Sequence, residues 1–212
     1  MRLHGALRVL GAVLLVLLTG HQQCVSATYT PPEAIENNGT MFAACKMRPS
    51  STLPEGLLKV SGQVLFRQVE HEELAILLRI NGFPKEGDQG PRAVHIHQYG
   101  DLSQGCDSTG GHYNPKEVNH PNHPGDFGNF VPHQGKISAM ITSQATLFGG
   151  ESVIGRAVVI HEKVDDLGLG GDAGSLLHGN AGRRLGCCII GISSPKLWNM
   201  QHKQFTRRLK RN

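Results

Sequence analysis

A chain of 212 residues with 39% apolar side chains and 27 glycines has material for one ordinary hydrophobic core with turn-rich loops, so a single domain with tails is expected. The formal net charge of +4 conceals an acidic body. Residues 28–195 carry 13 Lys and Arg against 17 Asp and Glu, whereas residues 196–212 carry six basic residues and no acid.

Arg2 and Arg8 precede an apolar run from Val9 to Leu18, which is too short to span a bilayer, and small residues follow at Val25, Ser26 and Ala27. That pattern predicts a secretory signal peptide over residues 1–27, and no later segment is apolar enough to cross a membrane. Secretion argues against nucleic acid as a partner. It also makes disulfides expected: with Cys24 lost beside the cut, Cys45, Cys106, Cys187 and Cys188 remain, an even set in an oxidising compartment. Asn38-Gly39-Thr40 is an acceptor sequon for one N-glycan.

The middle of the chain reads as all-β. Strand-like runs are predicted at Leu57–Gln68, Leu74–Ile80, Ala93–Tyr99, Lys136–Thr146, Arg156–His161 and Cys188–Ser193, separated by Gly, Pro and Asn clusters. A β-sandwich or barrel follows, interrupted by two long loops, Leu102–Pro132 and Glu162–Arg184, which lack apolar periodicity. Cys187 and Cys188 are adjacent on an extended segment and face opposite sides, so each must pair with a different distant cysteine. Spacing leaves the choice of partners open.

Chemistry concentrates between His95 and Asp126. In His95-Ile96-His97, strand alternation sends both imidazoles to one face and Ile96 to the core. His161 ends another apolar run and can reach the same point from a neighbouring strand. His112, His120, His123 and Asp126 share the first loop, a set that suits tetrahedral zinc, while imidazoles alone suit copper and zinc. If His112 gives one ring nitrogen to each ion, the two clusters become one bridged site. His71, His133 and His202 are read as surface residues, and His178 lies near Arg184 in sequence.

Beyond residue 195 the basic tail carries Lys203, Arg207, Arg208, Lys210 and Arg211. Trp198, Phe205 and Leu209 are spaced so that a helix would gather them on one face. A sulfated glycan of the heparin or heparan sulfate kind is the partner such a tail suits.

The segments HIHQYGD (95–101), GGHYNP (110–115), HPGDFGN (123–129), VVIHEKVDDLG (158–168) and GNAGRRLGCC (179–188) resemble, in order and spacing, the motifs of copper/zinc superoxide dismutases. The resemblance spans roughly residues 45 to 193, and the signal, the extra Cys45, the Cys187-Cys188 pair and the basic tail point to the secreted branch of the family. It implies a Greek-key β-sandwich or barrel that turns superoxide into dioxygen and hydrogen peroxide by copper redox cycling. Implied copper ligands are His95, His97, His112 and His161, implied zinc ligands are His112, His120, His123 and Asp126, and His112 is the implied bridge. Asp165 would link a copper histidine to a zinc histidine, and Arg184 would attract and orient the anion. The implied disulfides are Cys106–Cys187 and Cys45–Cys188. The resemblance also implies a homo-oligomer in the extracellular space. The chain would then divide into residues 1–27 (signal), 28–50 (an N-terminal segment available for oligomerisation), 51–195 (the dismutase domain) and 196–212 (the basic tail).

One departure stands out: Ala173 and Gly174 occupy positions where cytosolic members carry a glutamate pair. A copper chaperone would need a CxxC capture module, which the sequence lacks. A secreted copper/zinc buffer or matrix scaffold without turnover is the competing reading.

Overall fold

The computed structural model describes residues 30–210, so the expected signal segment, Cys24 and Arg211 lie outside the described residues. A short helix, α1 (Pro32–Glu36), leads into eight strands that form one antiparallel, nearly closed barrel. They are β1 (Thr40–Pro49), β2 (Ser61–Val69), β3 (Leu74–Asn81), β4 (Arg92–His97), β6 (Asp126–Phe130), β7 (Lys136–Ser143), β8 (Ala157–His161) and β9 (Arg184–Ile189). Their order around the wall is β6-β4-β8-β9-β1-β2-β3-β7, and two-residue β10 (Gly191–Ile192) pairs with β1. The connection from β3 to β4 passes β7 and β6, which gives the expected Greek-key crossover.

Three sequence expectations need correction. Residues 28–50 are not a separate segment before the domain, because β1 within them pairs with β2, β9 and β10. The first predicted strand begins at Ser61 rather than Leu57, since Pro54 and Gly56 put a turn there. The two long loops are not wholly irregular. The first contains β5 (Ser103–Cys106), a 3-10 turn (Asp107–Thr109) and β6, and the second contains the short helix α2 (Ala173–His178).

β1 escaped the alternation test because its first half is covered on both faces, and only Lys46 and Arg48 mark an exposed side. Met41, Ala43, Cys45 and Met47 face the barrel interior with Phe66, Ile76, Leu78, Ile96 and Ile160. On the outer face, Phe42, Leu65 and Leu77 lie under Trp198. Trp198 belongs to α3 (Pro195–Leu209), whose Leu197 and Phe205 pack on the same patch. Leu209 runs beyond that patch and stays 63% exposed, so the predicted three-residue stripe is two residues long in practice.

Both disulfides form as the adjacency of Cys187 and Cys188 requires. Cys45–Cys188 lies inside the barrel, and Cys106–Cys187 lies outside it with Val159. β1 pairs with β10 at Ala43 and Ala44 and with β9 at Arg48 and Pro49, so the inner bridge spans the point where its ladder changes partner.

Candidate metal centre

β4 pairs with β8, setting His95 opposite Val159 and His97 opposite Ala157, while Val94 and Ile96 enter the core. The two imidazoles therefore leave the barrel on its outer side, where the first loop and the segment after β8 roof them to 0% and 1% exposure. His161 is two residues beyond Val159 on that outward face, and its register partner on β9 is Arg184. A bridge between His97 and His112 brings the first loop onto the same face.

Two groups of ligand atoms result. One joins His95, His97, His112 and His161, the other joins His112, His120, His123 and Asp126, and within each group the atoms lie within 4.8 Å of one another. The hydrogen bonds at the outer edge of each ring decide which nitrogen faces inward. His97 Nδ1 donates to the Gly110 carbonyl at 2.9 Å and His161 Nδ1 to the Gly182 carbonyl at 3.2 Å. Both Nε2 atoms then carry lone pairs, yet they face each other at 3.2 Å. Two acceptors so placed have no hydrogen bond to share, and a cation is the partner that satisfies both.

The rest follow the same rule. His95 Nε2 and His120 Nε2 donate to the two oxygens of Asp165 at 2.8 and 2.7 Å, and His123 Nε2 donates to the Val118 carbonyl at 3.0 Å. The Nδ1 atoms of all three are buried without a hydrogen-bond partner. Those of His120 and His123 approach Asp126 Oδ2 to 2.8 and 2.9 Å without hydrogen-bond alignment, as donors converging on a common ion do. His112 serves both groups. Its Nδ1 is 2.9 Å from Asp126 Oδ1, and its Nε2 is buried and unpartnered. The residues present thus fit two ions sharing one imidazole, each ring held by an outer hydrogen bond.

Charge points the same way. Burial, reinforced by the neighbouring imidazoles, pushes His112 down to about 4 against the pull of Asp126. Burial likewise holds His97 and His161 well below the ordinary imidazole value. His120 differs: burial opposes its charge, but Asp126 and Asp165 outweigh it and raise the ring to about 9. Burial would raise both carboxyls, yet their histidine partners hold them below the usual carboxylate range. Positive charge is favoured at His120, between the two carboxylates, whereas His97, His112 and His161 resist protonation.

Arg184 lies half-buried at the edge of the first group, its basicity lowered by burial. Its Nη1 donates to the Cys106 carbonyl at 2.9 Å and to Thr109 Oγ1 at 3.0 Å, and its Nη2 to the Gly110 carbonyl at 2.7 Å. The guanidinium is fixed by the loop that the outer disulfide anchors. A cavity of about 790 Å³ opens beside it, lined by His97, His112, His161, Leu177, His178 and Arg184. His178 therefore sits where the sequence placed it, whereas His71 and His133 are exposed and His202 stacks on Trp198. Ala173 and Gly174 open α2, so no carboxylate of that helix faces the cavity mouth.

Several contributors carried no sequence signal. The carbonyls of Gly110, Gly182 and Val118 set three tautomers, and any residue supplies a carbonyl. Asn129 clamps the backbone of Asp165 through two 2.8 Å hydrogen bonds. Gly179, at φ +63°, ends α2 so closely against the site that an added Cβ would stand 2.0 Å from Asp165 Oδ1 and 2.6 Å from His120 Nε2. Asp165→Ala is expected to weaken metal retention at the Asp126 group about 10- to 100-fold while the barrel stays folded, as a chelator titration with circular dichroism would read. Unchanged retention would remove Asp165 from the orienting role.

Residues 60–190 match the model of the family described as "Copper/zinc superoxide dismutase (SODC)". The chain is 48% identical over 178 residues to the extracellular superoxide dismutase (Cu-Zn) of Homo sapiens, an alignment covering 83% of this chain and 74% of that one. It is 50% identical over 160 residues to the extracellular enzyme of Mus musculus, covering 74% and 64%. It is 42% identical over 140 residues to superoxide dismutase (Cu-Zn) A of Xenopus laevis, covering 63% and 90%. This chain belongs to the copper/zinc superoxide dismutase family. The two donor groups suit the family's two metals, copper and zinc.

Proposed function

We propose that the chain is a secreted superoxide dismutase in which His95, His97, His112 and His161 hold copper and His112, His120, His123 and Asp126 hold zinc. The observation that carries the assignment is His112, whose two ring nitrogens are turned to different ligand groups. Bound copper supplies one-electron redox cycling, and the chain's residues supply the rest. Arg184 gives the anion a charged, pre-oriented hydrogen-bonding partner beside the all-imidazole group. His112 is placed to hold a proton at Nε2 between half-reactions, while Asp126 keeps the ring in position. In sum, two superoxide ions and two protons become one dioxygen and one hydrogen peroxide. A secreted metal buffer would need the ligand groups but not a guanidinium fixed at the mouth of a cavity. Purified, metal-loaded protein is expected to dismute superoxide rapidly, to lose activity on copper chelation and to regain it with copper. Slow decay despite full metal content would support the buffer.

Two further assignments rest on exposure. Asn38 is exposed in the turn before β1, so the sequon is accessible for glycosylation. Tyr99 and Ile189, whose side chain lies against the neighbouring Gly100, are exposed by 52% and 45%, and Ile192 by 49%; they favour a homo-oligomer formed through the face that carries Ile189. Ile189→Asp is expected to halve the mass seen by light scattering, or more, and an unchanged mass would exclude the face. The basic tail, through Lys203, Arg207, Arg208, Lys210 and Arg211, is the proposed contact for heparin or heparan sulfate.

A further inference from the structure

The acidic body is not acidic everywhere. Strands β1, β2, β3 and β7 contain no Asp or Glu, whereas Lys46, Arg67, Arg79 and Lys136 lie along them. α3, which is equally free of acids, crosses the outer face of this part of the wall and anchors on Phe42, Leu65 and Leu77 through Trp198. Its later turns meet the strands through polar contacts. Gln204 accepts a 3.2 Å hydrogen bond from Arg79, and burial, then the charge of Arg208, lowers the basicity of Arg79. At its last turn Arg208 closes a groove of about 710 Å³ lined otherwise by Lys85, His133, Gln134, Lys136 and Ser138, with no carboxylate among them.

We infer that the polyanion site of this protein is a composite groove, with Lys85 and Lys136 on the barrel and Arg208 on α3 gripping one sulfated polysaccharide chain. The inference rests on the tail reading above and changes what that reading means: the tail acts as a docked helix that completes a cationic surface. Three elements supply cations to one groove while Arg207 and Lys210 extend the charge beyond it, a spread that suits a repeating anion better than a single ion. The helix packing holds Arg208 over the strands before ligand arrives, which cuts the ordering cost that a free tail would meet.

The test is retention of the metal-loaded, full mature protein on immobilised heparin, with three variants. Lys85→Gln with Lys136→Gln alters only exposed residues that belong to neither ligand group and do not line the cavity beside Arg184, so dismutase activity should be unchanged and serves as the folding control. It is expected to weaken binding about tenfold and to flatten the salt dependence of binding. Arg207→Gln with Lys210→Gln, in the tail alone, is expected to weaken binding too. Trp198→Ala keeps every charge but releases the helix, and is expected to lose about as much as the barrel pair. Wild-type retention by the barrel pair overturns the composite groove. If the tail pair still loses affinity in that case, the tail reading stands alone, and if it does not, both readings fall. Displacement by inorganic sulfate at matched ionic strength as effective as by heparin would mean a small-anion site and would also overturn the proposal.

Discussion

Arg184→Ala will lower kcat/KM for superoxide by roughly ten- to a hundredfold at low ionic strength, with copper and zinc content unchanged. Arg184 supplies a charge at the cavity that His97, His112 and His161 line, and the variant removes it while keeping every proposed ligand. Arg184→Lys separates charge from geometry. A lysine retains the charge, yet one ammonium cannot reach the Cys106, Thr109 and Gly110 oxygens that the guanidinium fork engages together. It should recover part of the rate and keep a salt dependence that Arg184→Ala has lost. Equal rates for all three proteins across salt would remove Arg184 from anion guidance.

The two disulfides should separate stability from activity. Each closes a long loop, 81 residues for Cys106–Cys187 and 143 for Cys45–Cys188, and loop-closure entropy places the loss on breaking either at about 4 to 5 kcal/mol. Their positions differ more than their loop lengths. The inner bridge ties two strands already joined by ladder contacts, so Cys45→Ala with Cys188→Ala should lower the thermal midpoint while leaving the rate per bound copper near that of the parent. The outer bridge fixes the segment whose carbonyls and hydroxyl hold Arg184. Cys106→Ala with Cys187→Ala should therefore lose both stability and rate, the rate loss resembling that of Arg184→Ala. Calorimetry and superoxide decay on the same preparations read the two effects, and equal rate losses in both variants would break the link to Arg184.

The proposed ligand residues were legible in the sequence because strand alternation is strict: His95 and His97 share a face with one core residue between them, and a single loop supplies the other donors. The opposite faces of Cys187 and Cys188 were legible for the same reason. β1 was not, since α3 covers Phe42 and Ala44 on its outer side and erases the polar half of the pattern over the first half of the strand. The short elements inside the long loops were hidden differently. β6 is half-buried throughout and α2 is six residues long, too little for any period to register. Tautomer control could not be read at all, because carbonyls do it, and Gly179 looks like any turn glycine until Asp165 is found beside it.

α3 also decides what happens when the chain is shortened. A protease cutting near Pro195 would strip the basic residues and at the same stroke bare Phe42, Leu65 and Leu77, an apolar patch that α3 covers. Trimming the tail would therefore do more than remove the proposed polyanion contact. The shortened chain would carry an exposed apolar patch that another surface would have to cover.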